Sequence, residues 1–275
     1  MKTIKHFFWF ICGFFIVWLF VLYPGKGKKK KMEFFTRFRY AHRGYHNKQG
    51  GIPENSMEAF KRAIDNGFGI ELDVHISKDG RLVVMHDDNL LRTTGKNMLV
   101  ESATTADIDN LRLEGTDEKV PYLENVLKLV DGQVPLLIEL KPSFNMYKKL
   151  CVRTFKLLDK YKGPYMIESF DPRILMWINS NRPRVVKGQL AGRLIKHGEN
   201  ISPIIDTTVK QLLLNFLARP DFIAYAFADR NALSLRLCKG LYHVIEFNWT
   251  IKSKEEQEIA ERDDAVIIFE QFDPR

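Results

Sequence analysis

From Arg39 onward, apolar runs of three to eight residues alternate with longer stretches whose apolar positions recur every three or four residues. The runs have the character of buried strands, and the longer stretches have the period of amphipathic helices. Strands are predicted at Arg39–Ala41, Gly69–Ile76, Leu82–Met85, Leu136–Leu140, Tyr165–Phe170, Val185–Leu190, Phe222–Phe227, His243–Trp249 and Ala265–Phe269. Helices are predicted at Ser56–Asn66, Leu123–Val130, Tyr147–Lys160, Pro172–Ser180, Val209–Leu217, Asn231–Lys239 and Lys254–Arg262, the first with Asn55 and Glu58 spaced as a capping box. Such alternation over about 235 residues predicts an α/β fold, a closed TIM (β/α)8 barrel. A doubly wound open sheet is the alternative, but no G-x-G-x-x-G follows the first strand.

Nine strands are one too many for that barrel. The surplus falls at Ser77–Gly80, a link too short for the crossover that parallel neighbours need, so one strand of this hairpin lies antiparallel at the rim. A two-residue turn at Lys78 and Asp79 pairs positions summing to about 157 and sets His86 opposite Glu71. Residues 88–121 are polar and turn-rich, and form an inserted rim segment over one end of the barrel.

The N-terminus breaks the pattern. Phe7 to Tyr23 is an uncharged apolar run of 17 residues with Lys2 and Lys5 before it and a lysine cluster, Lys26 to Lys31, after it. It is predicted to be a transmembrane helix that stays uncleaved, since the run exceeds a signal-peptide core and a tetralysine directly after a cleavage site would be unusual. The chain is thus divided into a short basic N-terminus (1–6), the span (7–23), a basic linker (24–38) and a barrel domain (39–275). The denser positive charge after the span predicts a single-pass protein of the cell membrane with its barrel in the cytoplasm. Charge elsewhere says little. The net charge of +8 resides in residues 1–39, with nine Lys/Arg against Glu33, which leaves 33 charges of each sign in residues 40–275 and no basic surplus for nucleic acid. Cys12, Cys151 and Cys238 are odd in number and lack C-x-x-C spacing, so neither a disulfide framework nor a thiolate zinc site is suggested.

Chemistry gathers where barrel strands end. Those ends carry His42-Arg43-Gly44, Glu71 with Asp73, His86, Glu139 with Lys141, and Glu168-Ser169-Phe170-Asp171. An E-x-D on a strand is by itself commonly a solvated face, but repeated acids, imidazoles and cations at one mouth are poor core material. Three carboxylates suit a hard divalent cation, Mg²⁺ or Ca²⁺. Arg43 and Lys141 suit phosphate oxygens, and two histidines can serve as acid and base. Together they describe phosphodiester cleavage. The other candidates have plainer readings: His75 as a hydrogen-bonded neighbour of the acids, His46, His197 and His243 as surface or packing residues, Trp249 as a pocket wall or barrel filler, and Asp171 as a helix cap.

The motifs HRG (42–44), PENS (53–56), IELDV (70–74), SKDG (77–80), VVMHD (83–87), IELK (138–141), SFDP (169–172) and WT (249–250) resemble the glycerophosphodiester phosphodiesterase family from about Tyr40 onward. The resemblance implies a metal-dependent TIM barrel that hydrolyses glycerophosphodiesters to an alcohol and glycerol 3-phosphate. It implies His42 and His86 as the acid/base pair, Glu71, Asp73 and Glu139 as metal ligands, Arg43 and Lys141 on the phosphate, and Glu54 lining the site. Two places depart from the family pattern: Ile251-Lys252 stands where Val-Asn is usual, and Phe269-Glu270 where Thr-Asp is usual. The expected substrates are glycerophosphodiesters or, with the membrane helix bringing the site to lipid, lysophospholipids in a lysophospholipase D reaction. A catalytically silent headgroup-binding barrel is the reading from a different class.

Overall fold

The computed structural model describes residues 2–25, 27–143, 145–194 and 202–275. His197 lies outside the described residues. Eight strands run parallel and close on themselves: β1 (Tyr40–Ala41), β2 (Gly69–Ile76), β4 (Leu136–Leu140), β5 (Tyr165–Ser169), β6 (Lys187–Ala191), β7 (Phe222–Ala226), β8 (Ile245–Ile251) and β9 (Val266–Phe269), with β1 bonded to both β2 and β9. The ninth, β3 (Leu82–Val84), is antiparallel to β2 at the rim, as the short link requires.

The register of that hairpin differs from expectation by one residue. Val74 faces Val84 and Ile76 faces Leu82. The turn holds three residues rather than two: Ser77 N donates to Arg81 O, and Gly80 takes φ +91°, the left-handed position that a three-residue hairpin demands and a glycine supplies. β3 ends before His86, so His86 reaches the barrel mouth from the loop beyond the strand and not from a rung opposite Glu71.

Alternation along the strands separates two cores. Leu137, Met166, Leu190, Phe222, Ala224, Phe247 and Ile268 fill the barrel, whereas Ile70, Leu72, Val74, Leu136, Ile138 and Ile167 pack outward against the helices α3 (Met57–Asp65), α6 (Leu123–Val130), α7 (Tyr147–Leu158) and α8 (Pro172–Asn181). The helix cap before α3 is Ser56, which accepts from Ala59 N, one residue later than the Asn55 box expected from sequence. The single helix expected over Val209–Leu217 is two, α9 (Pro203–Lys210) and α10 (Asn215–Ala218), separated where Leu212 turns to φ +56° and buries its side chain. The rim segment is a packed body containing α4 (Leu91–Thr94) and α5 (Thr105–Ile108), with Val83, Met85, Leu90, Val100, Ile108, Leu113 and Tyr122 as its own apolar cluster.

The N-terminal apolar run is helical, α1 (Lys2–Leu22), but among the described residues no helix is long and apolar enough to cross a membrane. The transmembrane span expected over 7–23 is therefore not met. The end of the run belongs to the barrel: Leu22 is buried, its carbonyl accepts from Asn215 Nδ2 at 3.2 Å, and Leu19 O accepts from Tyr242 OH at 2.8 Å. Upstream of those contacts, Phe8–Val17 extends only about 15 Å at helical rise, half of a ~30 Å hydrocarbon core. The basic stretch that follows is also engaged with the barrel. In α2 (Lys29–Phe35), Met32 and Phe35 enter the interior cluster beside Tyr40, Phe222 and Phe247, and lay its floor. Lys28 Nζ bonds both oxygens of Asp221, at 3.0 and 2.7 Å.

Candidate active site

The inward parity that packs Leu137 and Met166 low in the barrel brings Glu71, Asp73, Glu139, Glu168 and Trp249 inward nearer the strand ends, with His42 following β1 and Glu270 following β9. A cleft of about 780 Å³ opens there, lined by His42, Arg43, Glu54, Glu71, His86, Glu139, Lys141 and Trp249 among others. One oxygen each from Glu71, Asp73 and Glu139 lies within 4.8 Å of the others. Asp73 Oδ1 is buried with no hydrogen-bond partner among the described residues, while its Oδ2 accepts from Asn55 Nδ2 at 2.9 Å. Burial and mutual repulsion with Asp73, Glu168 and Glu139 push the Glu71 carboxyl well above its ordinary range. Burial, against the pull of Lys141 and with repulsion from Asp73, pushes Glu139 up to about 7. Asp73 stays ionised despite burial because His86, Lys141 and Arg43 surround it. An all-oxygen set with an orphaned oxygen and repelling acids fits a hard divalent cation.

Both imidazoles hang from carboxylates. His42 Nδ1 lies 2.7 Å from Glu270 Oε2, and His86 Nδ1 lies 2.7 Å from Asp87 Oδ1. Glu270 and Asp87 are both held ionised, against burial, by hydrogen bonds that include those to the imidazoles. An ionised carboxylate only accepts, so in each ring Nδ1 carries the proton and Nε2 is left for chemistry. His42 Nε2 is 4.0 Å from Glu71 Oε2. Burial, aided by Arg43 and opposed by Glu270, lowers His42 to about 4, which makes it a neutral ring.

Arg43 occupies a left-handed turn, φ +54°, and its backbone N–H donates to Glu71 Oε2 at 2.8 Å. Gly44 continues that turn at φ +78°, and a Cβ there would meet Ala59 of α3 at 2.9 Å, so the HRG glycine allows the close approach. The guanidinium of Arg43 donates from Nη1 to Glu54 Oε1 at 2.9 Å, and its buried Nε has no hydrogen-bond partner among the described residues. Lys141 Nζ sits 3.4 Å from Glu139 Oε1 and 3.6 Å from Asp73 Oδ1. Glu54 lines the cleft, but both its oxygens accept from arginines, which hold it near 2 in spite of burial. Trp249 combines its two readings: Nε1 donates to Ala224 O at 3.0 Å, and its ring meets Phe170 edge-on on the cleft wall.

Several contributors were not singled out from sequence. Glu270 stands at the departure noted after β9, and its other oxygen pairs with Lys252 Nζ at 2.9 Å, so both non-family positions meet at His42. Asn55 holds Asp73 instead of capping α3, and Asp87 orients His86. His46, expected at the surface or in packing, is buried in the cleft wall 3.8 Å from Glu270. His75 bonds the His86 carbonyl at 3.2 Å, Asp171 caps α8 through Arg173 N, and His243 is exposed. Strand-end position was the available signal for Glu270; nothing local marks Asn55 or His46. Glu270→Gln is expected to lower turnover about 10²-fold with little change in KM, because the amide no longer fixes the His42 tautomer. Steady-state kinetics beside a thermal melt check this.

The profile of the glycerophosphoryl diester phosphodiesterase family matches residues 42–196, more than half of the chain. The chain belongs to this family. A glycerophosphodiester phosphodiesterase of Bacillus altitudinis is 40% identical over 116 residues, 40% of this chain and 46% of that protein. One from Caldanaerobacter subterraneus is 33% identical over 160 residues, 54% of this chain and 65% of that protein. A lysophospholipase D of Mus musculus is 28% identical across 74% of this chain and 62% of its own length. The chain thus spans about half to just under two thirds of these relatives. The barrel also superposes on an Oleispira antarctica phosphodiesterase solved with the product sn-glycerol-3-phosphate, with a TM-score of 0.69, 20% identity, and coverage of 84% of this chain and 91% of that one. At this identity the match speaks for the fold.

Proposed function

We propose that this protein is a metal-dependent phosphodiesterase that hydrolyses glycerophosphodiesters to an alcohol and glycerol 3-phosphate. The observation that carries the reading is the meeting in one cleft of two imidazoles, each held through Nδ1 by a carboxylate, with three acids, an arginine and a lysine. Mg²⁺ or Ca²⁺ would be held by Glu71, Asp73 and Glu139 and would supply neutralisation of phosphoryl charge. Arg43 and Lys141 hold phosphate oxygens and keep the phosphorus in place. One imidazole takes the proton of the attacking oxygen, that of water itself or of the substrate's own glycerol hydroxyl with water opening the resulting cyclic phosphate, as the new P–O bond forms. The other returns a proton to the alkoxide as the old P–O bond breaks. Trp249 borders the part of the cleft left for the alcohol.

A lysophospholipid is the second substrate class, favoured by the apolar side of the cleft, where Phe170, Leu190, Leu194 and Trp249 lie. The exposed apolar surface of α1, with Phe8, Trp9, Phe10 and Phe14 each at least 60% exposed, supports a place at the cell membrane. The lysines behind α1 favour its cytoplasmic, anionic face. Product release from glycerophosphocholine and lysophosphatidylcholine, with metal removed and then Mg²⁺, Ca²⁺ or Mn²⁺ restored, tests the reading. Metal-dependent glycerol phosphate from the first is expected, and lysophosphatidate from the second would add the lysophospholipid activity. Release of neither product would leave a silent barrel.

A further inference from the structure

We propose that Arg92, carried on the rim segment, is a positioning residue that locks His86 and Arg43 into one frame. Its guanidinium grips two carboxylates at once. Nε and Nη2 donate to Asp87 Oδ2 and Oδ1 at 2.6 and 2.9 Å, and Nη1 and Nη2 donate to Glu54 Oε2 and Oε1 at 3.0 and 2.6 Å. Each carboxylate has a second load inside the cleft. Asp87 Oδ1 accepts from His86 Nδ1, and Glu54 Oε1 accepts from Arg43 Nη1. A continuous chain therefore runs from His86 through Asp87, Arg92 and Glu54 to Arg43.

An exposed ion pair ordinarily contributes little. This one differs in geometry: the planar fork meets both acceptors in bidentate fashion, which fixes their orientation as well as their charge. Its base is also fixed. Leu90 and Thr93, on either side of Arg92, are buried, Thr93 Oγ1 contacts Met85 Sδ at 3.1 Å, and Glu114 N donates to Thr93 O. The packed insertion thus has a task at the site, to hold two groups that come from β1 and from the loop after β3. All three guanidinium nitrogens are engaged, with four of five N–H donors committed, so Arg92 acts through its neighbours and not on the phosphate.

The kinetic consequence rests on the phosphodiesterase reading; the contacts do not. Arg92→Ala and Arg92→Lys are each expected to lower kcat about 10²-fold with KM nearly unchanged, since small misplacement of reacting groups has effects of that size. Lysine keeps the charge and loses the fork. Free guanidinium is expected to restore part of the Arg92→Ala activity. A readout independent of turnover is the His86 Nδ1–H signal in ¹H–¹⁵N spectra, assigned with His86→Gln. It is expected to be sharp and downfield in the wild type and broadened in both variants. Unchanged kcat and an unchanged signal would overturn the proposal, as would a fall in kcat with the signal intact, which would mean direct contact with substrate. Should Arg92→Ala fail to fold, Arg92→Lys decides alone. If the wild type turns over no diester, the phosphodiesterase reading falls while the His86 signal still decides the clamp.

Discussion

Alanine at His86 or at His42 is expected to lower turnover of a glycerophosphodiester by about 10²–10⁴-fold, the range for loss of a positioned acid or base. The melting temperature is expected to stay within a few degrees. His86 is only partly buried, so its removal opens no enclosed void, and Asp87 keeps Arg92 as a partner. Removing His42 leaves Glu270 paired with Lys252 and near His46. The double variant is expected to be little worse than either single one, because a base without its acid partner completes few reactions. Kinetics with saturating metal, alongside calorimetric melts, measure both quantities. Wild-type rates in either variant would remove that histidine from the chemistry.

Cation removal is expected to abolish turnover, and cation affinity is expected to climb with pH between about 5 and 7. The sign follows from the raised acids. In the metal-free protein Glu139 is pushed up to about 7 and burial raises Glu71 in the same direction, so carboxyl protons are present in the site through most of that interval. A cation must displace those protons, and doing so becomes easier as pH rises toward the Glu139 value. Above it, Glu139 no longer contributes and the slope flattens. Titration calorimetry in buffers of different ionisation enthalpy reads the displaced protons directly. An affinity that is level from pH 5 to 7 would contradict the coupling of these acids.

Local pattern carried the barrel far. Short apolar runs between stretches of helical period, and a link at Ser77–Gly80 too short for a crossover, were enough for eight parallel strands and one antiparallel addition. The residues named from strand ends, among them His42, Glu71, Glu139 and Lys141, do line one cleft. What sequence did not yield were features set by tertiary context. The extra turn residue that moved the hairpin register is fixed by a glycine's positive φ. The break after α9 depends on where Leu212 finds burial. Asn55 had a plausible local partner in Glu58, yet Asp73 claims it from another element. The apolar N-terminal run read as a span because hydropathy counts residues and does not register that Leu22 packs against protein.

The floor laid by α2 bears on how the protein can be shortened. Met32 and Phe35 lie upstream of the first strand yet fill the interior beside Phe222 and Phe247, each contributing about 1.5–3 kcal/mol by burial. A version trimmed at residue 39 to discard the greasy leader would also unstopper the cylinder and admit water beneath the aromatic layer. The practical cut lies ahead of Trp18, which keeps the stopper, the tie of Lys28 to Asp221 and the contacts of Leu19 and Leu22 with the barrel.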